Sequence, residues 1–280
     1  MGIRFVKMHG TGNDFVLLDG RDGLGSDVAG LAARLADRHF GVGCDQVLVV
    51  RAGATAPFTM EIWNGDGTRA EMCGNGIRCF AKWLYDHGEI AAGRVAIDTL
   101  GGPRWVAVQG YVDGAFRVSA GMGVPSFDPD ALPMRPGDGR ANEARIQVDG
   151  HALALTGVSM GNPHAVAFVD DVGAFPLESV GPLVERDATF PQRVNFEIVQ
   201  VSGPRALNVR VWERGAGVTL ACGTGAAAAV AASVASGRVA AGRVELSMPG
   251  GPLAVTWDGP GAEAVLHGPA VTVFDGTWPA

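Results

Sequence analysis

The sequence predicts an α/β (α+β) chain folded as two pseudo-symmetric tandem halves. Three observations carry that expectation. The chain repeats itself at a fixed offset. Short β-rich runs, separated by Gly and Pro clusters, outnumber helical stretches. One helical stretch is apolar on nearly every side, as a helix wrapped by its own sheet must be.

The repeat shows first in two cysteine segments. EMCGNGIRC at 71–79 and LACGTGAAA at 220–228 both read Cys-Gly-x-Gly, and their cysteines stand 222 − 73 = 149 positions apart. Carried along the chain without a gap, that offset places Asn13 on Asn162, Gln46 on Asn195, Trp63 on Trp212, Asn64 on Glu213 and Gly88 on Gly237. It also places AAGRV at 91–95 on AAGRV at 240–244, and GGP at 101–103 on GGP at 250–252. Shared Ala and Gly would mean little here, but a register that also holds Trp, Cys, Asn and Arg marks a tandem duplication over at least 12–110 and 161–259.

The expected halves are 1–120, joined by the C-terminal strand 268–280, and 121–267. The Pro-, Gly- and charge-rich run at 125–145 marks the vicinity of the connection. Halves docked about an approximate two-fold axis would set Asn13/Asn162, Gln46/Asn195, Asn64/Glu213 and Cys73/Cys222 facing each other across a cleft, the usual place for a small ligand.

Within each half the elements follow one order. FVLLD, QVLVV, FTMEIW and RVAIDTL read as strands of the first half, and AVAFVD, FEIVQV, NVRVWE and RVELSM as strands of the second. VAGLAARLADRHFG reads as a helix. So do IRCFAKWLYDHG and AAAAVAASVASG, each closing on a Gly suited to a helix C-terminus.

Composition narrows the function. The 280 residues are 47% hydrophobic, with a formal net charge of −7 and a pI near 5.3. No basic stripe offers a nucleic-acid surface, and no apolar run is long enough to span a membrane. The start, MGIRFVKMHG, has no apolar stretch of the signal-peptide kind. A cytoplasmic, globular, acidic protein is expected. Its four cysteines, Cys44, Cys73, Cys79 and Cys222, would then stay reduced, and their spacing fits no zinc pattern.

Cys44 and Cys79 read as small buried apolar residues. Cys73 and Cys222 instead stand at equivalent helix mouths. There the free N–H groups and the dipole draw a thiol below its ordinary pKa of about 8.5, and the following glycines can bind a carboxylate. One such cysteine suggests a nucleophile; two opposed thiols bracket a central atom. A thiolate that removes an α-proton and a thiol that returns one to the opposite face would invert a stereocentre. That chemistry needs no cofactor, and no P-loop, dinucleotide fingerprint or pyridoxal-phosphate signature is evident.

At these residues the chain resembles diaminopimelate epimerases of lysine and peptidoglycan precursor biosynthesis. The resemblance spans nearly the whole chain. It rests on KMHGTGNDFVLLD, GVGCDQ, NGDGTRAEMCGNGIRC, GNPHAV, VNFE and ERGAGVTLACGTGA. It implies two halves, each a mostly antiparallel sheet curled around a central helix, with the active site in the cleft between them. It further implies that Cys73 and Cys222 are the two bases, that His164 and Glu213 tune their protonation, and that diaminopimelate is the substrate, with no cofactor or metal. Substrate contacts would come from Asn13, Gln46, Asn64, Asn162, Asn195, Glu213 and Arg214, and from the backbone at Gly74, Asn75, Gly223 and Thr224. Phe274 departs from the Tyr that many relatives carry as a dimer contact, so a homodimer stays possible but does not follow.

Two other readings fit the residues. One is a proline or hydroxyproline racemase or epimerase of the same two-cysteine design, whose small substrate would leave the distal polar groups idle. The other is a redox-sensing binding protein in which Cys73 and Cys222 form a regulatory disulfide.

Overall fold

The computed structural model describes residues 2–135 and 142–279. The chain divides into two units, Met1–Gly121 with Gly268–Ala280, and Met122–His267. Of the run at 125–145, residues 136–141 lie outside the described residues.

In the first unit the elements are β1 (Ile3–Gly10), β2 (Asn13–Asp19), α1 (Val28–Ala36), β3 (Gln46–Ala52), β4 (Phe58–Asn64), β5 (Arg69–Ala70), α2 (Gly74–Asp86), β6 (Gly93–Asp98), β7 (Arg104–Val112) and β8 (Ala115–Gly121). The second unit opens on a single 3₁₀ turn, Pro129–Ala131, and continues with β9 (Glu143–Val148), β10 (His151–Ser159), β11 (Pro163–Phe168), α3 (Leu177–Glu185), β12 (Asn195–Gly203) and β13 (Ala206–Glu213). After these come β14 (Gly217–Thr219), α4 (Gly223–Ala235), β15 (Gly242–Met248), β16 (Gly251–Trp257) and β17 (Val265–Gly268), and the chain then returns to the first unit as β18 (Val271–Trp278).

The 149-residue offset carries α1 onto α3 and α2 onto α4 to the residue. It also holds in the pairing. In the first unit β1–β2, β3–β4, β6–β7 and β7–β8 are antiparallel while β2–β3 and β4–β6 are parallel. In the second, β10–β11, β12–β13 and β15–β16 are antiparallel while β11–β12 and β13–β15 are parallel. Each sheet is thus mostly antiparallel.

The strand alternation puts one side-chain set on each helix. Met8, Phe15, Leu17 and Leu48 point to one face and meet Ile77, Phe80 and Leu84 of α2. Phe5, Val16, Leu18 and Val47 point to the other and meet Leu31 and Leu35 of α1. Strands far apart in the sheet, β1 and β8, both pack on α2, so the sheet curls around that helix. In the second unit α4 is buried from Gly225 to Ser233 and packs on β10, β11, β12, β13 and β16. The helix that read as apolar on all sides is enclosed on all sides.

The sequence reading missed α3. It covers β12 and β13 with Leu177, Val180 and Val184, but its LESVGPLVE carries an internal Gly-Pro pair that reads as a break. Gly181 is required there, because a Cβ would lie 2.6 Å from the Trp212 ring. The two cysteine helices end as expected. Their caps are His87 and Ser236, followed by Gly88 and Gly237 at φ 71° and 69°, the left-handed backbone that closes a helix.

Candidate active site

Each unit carries one cluster around a helix-capping cysteine. In the first, Cys73 takes extended backbone (φ −140°, ψ 114°), which turns its side chain onto the first turn of α2. Its Sγ accepts the N–H of Gly76 at 3.4 Å, the bond a Ser or Asp makes as N-cap. Asn13, at the start of β2, lies beside the thiol with Oδ1 3.5 Å from Sγ. Its amide can turn only one way: Nδ2 donates to Asp45 at 2.8 Å, and Oδ1 accepts from Asn75 Nδ2 at 3.3 Å. Asp45 is tied in turn by Arg38, which also holds Asp14. Gln46 and Asn64 are cross-strand partners and bond to each other, Gln46 Nε2 donating to Asn64 Oδ1 at 2.9 Å.

In the second unit Cys222 repeats the geometry. It caps α4 from extended backbone (φ −119°, ψ 119°) and accepts the N–H of Gly225 at 3.4 Å. Thr224 Oγ1 stands 3.4 Å from its Sγ and accepts from Asn162 Nδ2 at 3.4 Å. Asn162 Oδ1 meets His164 Nε2 at 3.0 Å, and His164 Nδ1 meets Glu197 Oε1 at 2.7 Å. His164 and Glu197 are both fully buried. Because Asn162 Oδ1 can only accept, Nε2 is the donor of that bond.

Glu213 bonds Cys222 directly and accepts the Thr219 hydroxyl. Burial pushes its carboxyl up from the ordinary value, against the Thr219 and Cys222 hydrogen bonds. Of the two residues expected to tune the cysteines, Glu213 touches the Cys222 thiol, and His164 is connected to it through Asn162 and Thr224.

The expected lowering of a thiol at a helix mouth fails for Cys222. Its pKa is raised well above the ordinary value, first because burial removes the thiolate from water, then because Glu213 and Glu197 repel a negative charge. The α4 dipole and the Gly225 N–H do not offset these effects. Cys44 and Cys79 are buried as expected, and burial pushes their thiols to about 11 and about 12. None of the four cysteines is joined in a disulfide.

Asn195 spends both amide ends on backbone: Nδ2 donates to Pro163 O at 3.0 Å and Oδ1 accepts from Arg214 N–H at 2.9 Å. It holds the turn that presents Glu213 and Arg214. The exposed Arg214 guanidinium donates to Gln192 O at 3.2 Å. Sequence reasoning missed Glu197. The repeat held its signal, because the offset pairs Glu197 with Leu48 and His164 with Phe15, so a polar dyad stands where the first half has an apolar pair. Asp45 and Arg78 were missed as well.

The family model of diaminopimelate epimerase matches residues 5–127 and 156–273. The diaminopimelate epimerase of Xanthomonas euvesicatoria is 47% identical over 280 residues, covering 99% of this chain and 96% of the relative. The chain belongs to the diaminopimelate epimerase family. The family member from Pelotomaculum thermopropionicum is 42% identical, with 99% of each chain covered. Solved structures share the fold at lower identity. A Bacillus anthracis phenazine biosynthesis protein of the PhzF family superposes with TM-score 0.73 at 14% identity, covering 100% of both chains. A hydroxyproline epimerase from Agrobacterium vitis does so with TM-score 0.71 at 18% identity, covering 99% of this chain and 92% of the other.

Proposed function

We propose that the chain interconverts LL- and meso-diaminopimelate without a cofactor, Cys73 and Cys222 exchanging protons on opposite faces of one α-carbon. The observation that carries this reading is the pair of thiols, 149 positions apart, each the N-cap of a Gly-rich helix. The N–H groups and dipole at each helix start suit a substrate α-carboxylate and the charge that develops on it as the α-proton leaves. The thiolate on one side takes the α-proton, and the thiol on the other delivers its own to the opposite face. Inversion needs nothing else, and the reverse reaction exchanges the roles.

A second amino-acid end accounts for the remaining groups. Arg214 suits a distal carboxylate, and Asn13, Gln46, Asn64 and Asn162 offer both donors and acceptors to the ammonium and carboxylate groups. Asn195 serves the substrate through the turn it holds. The chain shares the fold of the hydroxyproline epimerase, but a proline-type substrate has no distal amino-acid group for these residues to bind. In this reading the chain works in the cytoplasm, where its thiols stay reduced. No described helix is long and apolar enough to cross a membrane. A homodimer through the exposed face of β18, at Val271, Val273 and Phe274, is tested by sedimentation.

Incubation with LL-diaminopimelate in deuterium oxide tests the function. Deuterium should enter the α-position as the meso isomer accumulates. Absence of both exchange and isomerisation in folded, reduced protein would refute the assignment.

A further inference from the structure

The asparagine beside Cys73 is held from both ends. Arg78, fully buried in α2, has three acceptors: Gly74 O takes Nη1 at 2.9 Å, Pro269 O takes Nε at 3.4 Å and Asn75 Oδ1 takes Nη2 at 2.9 Å. A guanidinium can only donate, so the Asn75 amide is fixed with its Nδ2 turned to Asn13 Oδ1, 3.3 Å away. Asn13 passes the direction on, its Nδ2 donating to Asp45 Oδ2 at 2.8 Å. The amides of Asn75 and Asn13 thus stand head to tail between a cation and an anion. The Asn13 carbonyl is the end that faces Cys73 Sγ, at 3.5 Å.

The anion is itself set by the fold. β2 and β3 run parallel with Phe15 opposite Gln46, so Asp14 and Asp45 stand side by side. The Asp45 N–H donates to Asp14 Oδ1 at 2.9 Å, and the Asp14 N–H to Asp45 Oδ2 at 3.1 Å. Two carboxylates so close repel each other. Arg38, two residues beyond α1, bridges them. Its Nη2 reaches Asp45 Oδ1 at 2.6 Å and Asp14 Oδ1 at 2.8 Å, and its Nη1 reaches Asp14 Oδ2 at 3.1 Å. Lys7 bonds Asp14 and the Gly43 carbonyl, so Arg38 is the one cation on Asp45 among the described residues.

Arg38 and Asp45 are each about half exposed, and ion pairs that open to water add little stability. What the cluster controls is the direction of the Asp45 carboxylate, and through it the Asn13 amide. The repeat does not carry this device, because the 149 offset puts Asp187 in the place of Arg38 and Val194 in that of Asp45. In the second unit Asn162, the equivalent of Asn13, is set by His164 Nε2 and Thr224 Oγ1 instead.

We propose that Arg38 and Asp45 are positioning residues for the epimerisation: Arg38 holds the Asp45 carboxylate against Asn13, and Asp45 keeps the Asn13 carbonyl turned to the thiol and the substrate. The catalytic meaning of this inference rests on the two-thiol reading above, whereas the orientation of the amide can be measured without substrate. Without Arg38, Asp45 turns away from Asp14, and the Asn13 amide is free to rotate. Part of the molecules then present an N–H group where the native chain presents an oxygen. D45N added to R38Q removes the repulsion from Asp14 while its side-chain carbonyl still accepts from Asn13. The second substitution should therefore recover what the first loses.

The test follows the Asn13 side-chain amide in the full chain labelled with 15N-asparagine, its resonance assigned by its loss in N13D. In the native protein the Nδ2 protons should exchange with water at least about tenfold more slowly than those of free asparagine. R38Q should remove most of that protection, and R38Q/D45N should restore it. With LL-diaminopimelate, R38Q should lower kcat/KM by about tenfold to a hundredfold and raise KM, because a substrate contact is misplaced. A mere loss of folded protein would lower kcat and leave KM unchanged. The double variant should exceed R38Q in kcat/KM, a recovery that a purely structural role of either residue does not produce. Native-like amide protection in folded R38Q overturns the proposal, and so does a double variant no better than R38Q. So does a native Asn13 amide that exchanges as fast as free asparagine, which requires no variant to fold. Deuterium exchange into diaminopimelate, measured on the same native sample, decides the function independently.

Discussion

One methyl group at equivalent positions should separate the two cysteine helices. A Cβ on Gly225 would lie 2.7 Å from Glu197 Oε1 and 3.4 Å from Cys222 Sγ. On Gly76, its equivalent, the nearest atoms are Cys73 Cβ and Leu48 Cδ2 at 3.3 Å and Phe15 Cε1 at 3.4 Å. Alanine in place of a helical glycine gains up to about 1 kcal/mol, whereas overpacking a filled site costs about 1–3 kcal/mol. G76A should therefore come out near neutral in urea denaturation. G225A should be destabilised by about 1–3 kcal/mol and lose activity disproportionately, because the carboxyl it displaces holds His164. Equal stability of the two variants would contradict this account of the second cluster. The paired cysteines were legible because the repeat kept them identical. Glu197 and Arg78 were not, because each stands where its equivalent is apolar, Leu48 and Ala227, and an isolated charge in a sequence does not announce that it is buried.

Among the elements, the helix that escaped sequence reading shows how the halves diverged. Glu185, the last residue of α3, is buried and accepts Trp212 Nε1 at 2.7 Å and Gly215 N–H at 3.2 Å. It thereby anchors the turn behind Glu213 and Arg214. Its equivalent at the end of α1 is Ala36, and Trp63, the equivalent of Trp212, has a buried Nε1 with no hydrogen-bond partner among the described residues. Periodicity found α1 and missed α3 because the Gly181-Pro182 pair that fits α3 against Trp212 also hides it. The first unit ties the segment after α1 by charge. Asp14 on β2 bonds Lys7 on β1 at 2.5 Å and Arg38 beyond α1 at 2.8 Å. Burial would raise this carboxyl, but the two cations outweigh it and hold it at about 2. A carboxyl whose folded pKa lies below the ordinary value of about 3.9 stabilises the fold above that value and loses the contribution as pH falls toward the folded pKa. Between pH 4 and pH 2 the native chain should lose more stability than D14N, which begins weaker at pH 6 and has no such carboxyl to protonate. Parallel acid limbs in urea titrations of the two proteins would rule this out.

At the scale of the whole chain, the duplication was readable over 12–110 and 161–259 but not at the outer strand of each unit. Each unit needs a strand beside its first one, and the two obtain it differently. In the second unit β9 pairs with β10 through a local turn at Asp149 and Gly150, both in left-handed backbone. In the first, β1 is covered by β18, from Ile3 opposite Trp278 to His9 opposite Val271, nearly the full sequence away. The repeat could not show this, because β18 lies beyond the copied segment. The last strand contributes more than an edge: Ala270 is buried in the α2 core, Pro269 O accepts from Arg78, and Phe274 meets Phe5 edge-on at 6.0 Å. A chain ending at His267 should thus lose the first unit selectively. Without β18 the backbone of β1 has an open edge, the α2 core is exposed at Ala270, and Arg78 loses one of its three acceptors. Hydrogen exchange should show protection collapsing in β1, β2 and α2 while α4 and β12 keep theirs. A peptide of residues 268–280 added in trans should restore protection to β1 first. Native-like protection of β1 and α2 in the truncated chain would mean that the N-terminal repeat folds without its distant strand.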